Sequence, residues 1–137
     1  MKNALSYTST PNKNLMKTAL NIVVICQHGR HLSRYLQEYL ESMKIESSAL
    51  GLNFKNRNTI RKIQSAQIVI CVHEEIKQAV EAEFDLSDKK VICLNVTDFS
   101  GTSNKKPMTG ESWLEYQESN VYPELRKQIK KHLPSLA

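Results

Sequence analysis

Along the chain, unbroken apolar runs alternate with segments in which apolar residues return every three or four positions. LNIVVIC (20–26) is a continuous aliphatic run rich in β-branched residues, the pattern of a strand buried on both faces. Leu32, Tyr35, Leu36, Tyr39, Leu40 and Met43 then recur at helical spacing, with Ser33 as the expected N-cap. ESSALGLNF (46–54) reads as a short second strand closed by Gly51, and RNTIRKIQSA (57–66) as a helix with Ile60 and Ile63 on one face. QIVICV (67–72) is the third strand. EEIKQAVEAEF (74–84) places Ile76, Ala79, Val80 and Phe84 on one side of a helix, and VICLNVT (91–97) is the fourth strand. A polar stretch from Thr97 to Trp113 reads as a functional loop or an insertion. YPELRKQIKKHL (122–133) closes the pattern as a helix, with Pro123 in its first turn and Pro134 just after it.

Strand–helix alternation of this kind predicts an α/β fold: three layers, with a four-stranded parallel sheet flanked by helices and joined by right-handed crossovers. The polar, proline-broken residues 1–19 read as a flexible leader and 20–137 as one domain. The chain's 137 residues, 40% hydrophobic and 24% charged, fit a soluble globular protein with an ordinary core. The net charge of +5 is spread along the chain apart from Arg126, Lys127, Lys130 and Lys131. On a helix these form i,i+4 pairs of like charge, a solvated face rather than a nucleic-acid footprint. No apolar run spans a membrane and no signal-peptide core stands near the start, so a cytoplasmic location is expected. Three cysteines do not suggest a disulfide framework. Cys71 and Cys93 lie inside strand-like runs and read as core thiols.

Cys26 ends the first predicted strand, at the edge where parallel sheets bind their ligands. A loop entering a helix N-terminus offers backbone N–H groups and the positive end of the helix dipole, which suit a phosphate and equally favour a thiolate. Gly29 permits the left-handed backbone of a tight loop, and the Ser33 hydroxyl is within reach of the thiol as well as of the cap. His28, Arg30, His31 and Arg34 make the surroundings electropositive. These parts suit attack on a phosphoryl group through a phosphocysteine. They also suit a plain buried cysteine beside a basic helix start.

VVICQHGRHLSRYLQEYL resembles the phosphate-binding loop of the low-molecular-weight protein tyrosine phosphatases, C-x5-R-S between first strand and first helix. The element order through residue 97 and the proline-started last helix resemble the shorter bacterial and archaeal members. The resemblance implies that Cys26 is the nucleophile and Ser33 the stabiliser of its thiolate. It makes Asp98, followed by Phe99, the general acid. Gln27, His28, Gly29, Arg30, His31, Leu32 and Arg34 become the phosphate-binding set. It implies a phosphorylated substrate or oxyanion as ligand and names no protein partner; no cofactor, metal, nucleic acid or membrane is expected. Leu32 stands where the family has its arginine, so Arg30 or Arg34 would have to supply the missing cation. Tyr122-Pro123-Glu124 stands where short members carry Asp-Pro-Glu.

Cys26, Gly29 and Ser33 also match the phosphocysteine loop of lactose/cellobiose-type IIB components of sugar phosphotransferase systems, which hold phosphate without an arginine. A third reading is a non-catalytic anion- or protein-binding module on the same scaffold. Trp113 and Tyr116 read either as a wall for a substrate ring or as packing for the late loop. His73 reads as a pocket residue or a cap. Histidines 28, 31 and 73 with Cys26 match no zinc spacing.

Overall fold

The computed structural model describes residues 20–27, 31–54, 56–96 and 110–136. Four strands, β1 (Ile22–Cys26), β2 (Ser48–Gly51), β3 (Ile68–Cys71) and β4 (Lys90–Cys93), form one all-parallel sheet in the order β2-β1-β3-β4. The two central strands are the ones with unbroken aliphatic sequence. Every residue of β1 and of β3 is buried, as a strand covered on both faces requires. β4, at an edge, alternates instead, with Lys90 exposed and Ile92 inside. Its ladder stops at Cys93, although Leu94 and Val96 still donate backbone hydrogen bonds to Cys71 and Val72.

Helices α1 (Leu32–Ser42), α2 (Arg57–Ser65) and α3 (Glu74–Glu83) make the three crossovers. α1 lays Leu32, Leu36 and Leu40 onto β1 and β2. It ends in a Schellman motif, in which Ile45 N–H bonds to Leu40 C=O and Lys44 N–H to Glu41 C=O. Lys44 takes the left-handed position at φ 65° that glycine usually fills. Asn56 starts α2, its side-chain oxygen accepting from Thr59 N–H at 2.9 Å. His73 starts α3, its Nδ1 accepting from Glu75 N–H at 3.2 Å, so the ring is a cap. Right-handed crossovers in this strand order put α1 on one face and α2 with α3 on the other.

The late polar segment departs from expectation. Residues 97–109 lie outside the described residues, but helix begins again at α4 (Gly110–Tyr116). It runs through a π-turn (Gln117–Val121) into α5 (Tyr122–Lys130), where Pro123 sits in the first turn as its missing N–H allows. Pro134 does not follow the last helix but lies in a further short one, α6 (Leu133–Leu136). α5 packs beside α1, and Leu125 and Ile129 close the core on that face. Among the described residues no helix is long and apolar enough to cross a membrane.

Candidate functional site

The carboxyl ends of β1 and β3 and the start of α1 meet at one edge of the sheet, and Cys26 stands there. It is 6% exposed, the last residue of a strand otherwise sealed in the core. Its Sγ lies 3.1 Å from the Oγ of Ser33, a hydroxyl with no solvent exposure. This corrects the expected role of Ser33. Helix α1 starts two residues earlier than a serine cap would set it, His31 occupies the cap position, and no side chain caps the end. Ser33 is therefore the second residue of the first turn and points inward, so its hydroxyl faces the thiol rather than the helix's own N–H groups.

The neighbouring residues divide between those tied to the site and those turned elsewhere. Gln27 is anchored to the end of β2, where its carbonyl accepts from Asn53 N–H at 2.8 Å and its side-chain amide donates to Asn53 Oδ1. Leu32 is 6% exposed and belongs to the core cluster. Arg34, one of the two arginines expected to serve the loop, is exposed and pairs with Glu38 one turn along, 3.5 Å from Nε to carboxylate. His28, Gly29, Arg30 and Asp98 lie outside the described residues.

His31 opens onto a cluster of rings that connects α1 with α4 and α5. Its Nε2 is 2.9 Å from the Tyr122 hydroxyl, and its ring centroid is 4.8 Å from that of Trp113. Tyr122 stacks flat on Tyr35, centroids 4.0 Å apart at 4°, and Arg126 donates to the Tyr35 hydroxyl at 2.6 Å. Burial, reinforced by Tyr35 and by the carboxylates of Glu118 and Glu38, pushes the Tyr122 phenol above its ordinary value and keeps it a neutral hydrogen-bonding group. Trp113 thus meets His31, whereas Tyr116 packs against the core. The sequence had pointed to neither Tyr35 nor Arg126. Their partners stand 91 residues away along the chain, beyond any local pattern.

A cleft of about 400 Å³ opens at the opposite, amino end of the sheet, between Asn21, Val23, Glu41, Glu46, Ser48 and Lys62. Its lining contains neither cysteine nor histidine, and it lies away from the edge where parallel sheets bind ligands. No protein-family model, curated protein or solved structure matches the chain.

Proposed function

We propose that the chain is a cysteine-dependent, phosphatase-like protein that holds a phosphoryl group in the 26–33 loop and acts on it through Cys26. The observation that carries this is the buried 3.1 Å contact between Cys26 Sγ and Ser33 Oγ, at the carboxyl end of a central parallel strand and in the first turn of an eleven-residue helix. A hydroxyl so placed donates to a thiolate as it forms, and the helix N-terminus adds positive potential at the same point. The thiolate attacks phosphorus, the bond to the leaving oxygen breaks, and Asp98 supplies that oxygen with its proton. Water then attacks the phosphocysteine, the P–S bond breaks, and Asp98 takes up the water's proton, leaving phosphate and the free thiolate.

Leucine at 32 removes the two-pronged grip that a guanidinium gives an equatorial pair of phosphate oxygens. Loss of one preorganised transition-state donor costs ~10²–10³ in rate, so turnover is expected to be slow. The deciding experiment is hydrolysis of an aryl phosphate from mildly acidic to neutral pH, wild type against Cys26→Ser. Turnover that disappears in the variant supports the proposal, and no turnover in either protein refutes hydrolysis of this substrate class. A phosphorylated substrate met in the cytoplasm belongs to the same proposal.

The burial of Leu32 in the core favours a second function, that of a phosphocysteine carrier. Its cradle needs only backbone N–H groups, so an apolar residue at 32 costs it nothing. A phosphohistidine donor protein would then leave a thiol-linked phosphate on Cys26, visible by mass spectrometry and absent from Cys26→Ser.

A further inference from the structure

The loop that follows β1 is fastened at both ends, by different means. At its entry Gln27 is tied to Asn53, beyond β2, by a backbone and a side-chain hydrogen bond. At its exit His31 holds the cap position of α1, at φ −121° and ψ −85°, and its carbonyl accepts from Tyr35 N–H at 2.8 Å. A cap residue ordinarily turns its side chain back onto the first N–H groups of its own helix. His73 does so at the start of α3, where Nδ1 accepts from Glu75 N–H at 3.2 Å. His31 does not, and no side chain caps α1. Its ring is engaged instead by two other elements, with Nε2 2.9 Å from the Tyr122 hydroxyl of α5 and the ring centroid 4.8 Å from that of Trp113 on α4.

Each partner of that ring is itself braced. Tyr122 lies flat on Tyr35 at 4.0 Å and meets His31 edge-on at 5.6 Å. Arg126 donates to the Tyr35 hydroxyl at 2.6 Å. Burial holds the Tyr122 phenol above its ordinary value, so it keeps its proton where an exposed phenol would begin to ionise. The Tyr35–Tyr122 stack and the Arg126 bond already fasten α5 to α1. What the His31 contacts add is a hold on the exit of the loop. Ordering a loop at the moment of binding costs affinity, and a loop already held in its bound form escapes that cost.

We propose, resting on the phosphoryl-binding role assigned to the loop above, that the ring cluster holds residues 26–33 in their anion-binding form, with Tyr122 and Trp113 as positioning residues that act through His31. Neither residue has to touch the phosphoryl group. Without one of these anchors the loop visits other forms, and an anion binds only the fraction still in place. The coupling is reciprocal: an anion that prefers the held loop tightens the Trp113 contact by the factor that the contact lends to anion binding. Couplings between linked sites are typically ~5–150-fold, so loss of one anchor should weaken anion binding at least ~5-fold.

The test is a titration of the full chain with inorganic phosphate, read in two ways. Protection of Cys26 from iodoacetamide, scored on its peptide by mass spectrometry, reports binding in the loop. Emission of Trp113, the single tryptophan of the chain, reports the contact with His31. In wild type both should change with one midpoint. Tyr122→Phe keeps the ring on Tyr35 but lacks the bond to His31, and its protection midpoint should move to at least ~5-fold higher phosphate. Trp113→Leu, scored by protection alone, should move it the same way. Ile129→Val, a buried change on the same helix α5, should loosen the core and leave the midpoint at the wild-type value. A wild-type midpoint in Tyr122→Phe or Trp113→Leu, an equal shift in Ile129→Val, or protection of Cys26 with Trp113 emission unmoved would each overturn the positioning role and leave the phosphate loop standing. Failure of phosphate to protect Cys26 in wild type would overturn both.

Discussion

Leu32→Arg would complete the C-x5-R-S pattern of the proposed phosphatase-like loop, and the burial of Leu32 predicts that it destabilises the chain instead. Leu32 is 6% exposed in the first turn of α1, in the same cluster as Leu36 and Leu40. Burying a leucine contributes about 1.5–3 kcal/mol. The aliphatic stem of arginine recovers part of that, but its head must leave the core to reach water. A positive charge at a helix N-terminus costs a further ~0.3–1 kcal/mol. The misfit of a longer, stiffly solvated side chain adds about 1–3 kcal/mol. The net expectation is a loss of about 2–4 kcal/mol. At a urea slope near 2 kcal/mol/M, the midpoint falls by about 1–2 M. Chemical denaturation followed by circular dichroism measures this directly, with aryl phosphate hydrolysis run on the same samples. A variant as stable as wild type with hydrolysis raised ~10²-fold or more would show that position 32 faces the loop, and the core placement of Leu32 would be wrong.

Tyr122→Phe removes the hydroxyl bonded to His31 while keeping the ring on Tyr35. A loss of about 0.5–1.5 kcal/mol is expected, together with a changed imidazole signal for His31 by NMR, and an unmoved signal would sever the contact. Lys44→Gly should stabilise the chain by about 0.5–1 kcal/mol in thermal unfolding, because a left-handed residue at φ 65° is strained unless it is glycine. Cys71 gives a pH prediction: its folded-state pKa is raised from 9.0 to about 12, so across that window the folded chain holds a proton that the unfolded chain has lost. Stability should fall as pH rises from about 9 to about 12, by no more than ~1.4 kcal/mol per pH unit from this thiol. Urea midpoints of wild type and Cys71→Val over that range test it, and identical slopes would exclude the thiol as the cause.

The parts of the fold that were legible in sequence are those whose burial is total. β1 and β3 are sealed on both faces, so IVVIC and IVIC are apolar at every position and no phase has to be guessed. The sheet, its parallel sense and its covering helices follow from that alternation. The α4–π-turn segment was not legible, because its burial inverts the usual chemistry: Gln117 has no solvent exposure while Leu114 is 44% exposed. A pattern search sees a polar loop there. What orders the segment is contact with residues far off in the chain, as in the rings of Trp113 and His31.

The same distinction runs through the site. Cys26 at the end of a buried strand was readable, since position along a strand is a local property. The role of Ser33 was half readable: a serine at that place signalled a helix start, yet a shift of two residues moved its hydroxyl from the helix N–H groups to the thiol. Local rules offer a serine both uses, and only the packing of Leu32 and Leu36 beneath α1 chooses between them. The two leucines fix the rotation of the helix, and that rotation aims Ser33. The cost of placing leucine at 32 is therefore the guanidinium, and what it secures is the orientation of the hydroxyl. On this view a change at Leu36, which touches no substrate, should disturb the Cys26–Ser33 contact before it unfolds the chain. Leu36→Ala, at a cost of about 2–5 kcal/mol for a fully buried leucine, should loosen that geometry and speed alkylation of Cys26 by iodoacetamide under native conditions. Alkylation at the wild-type rate in a folded Leu36→Ala protein would show that the helix does not set the thiol's partner.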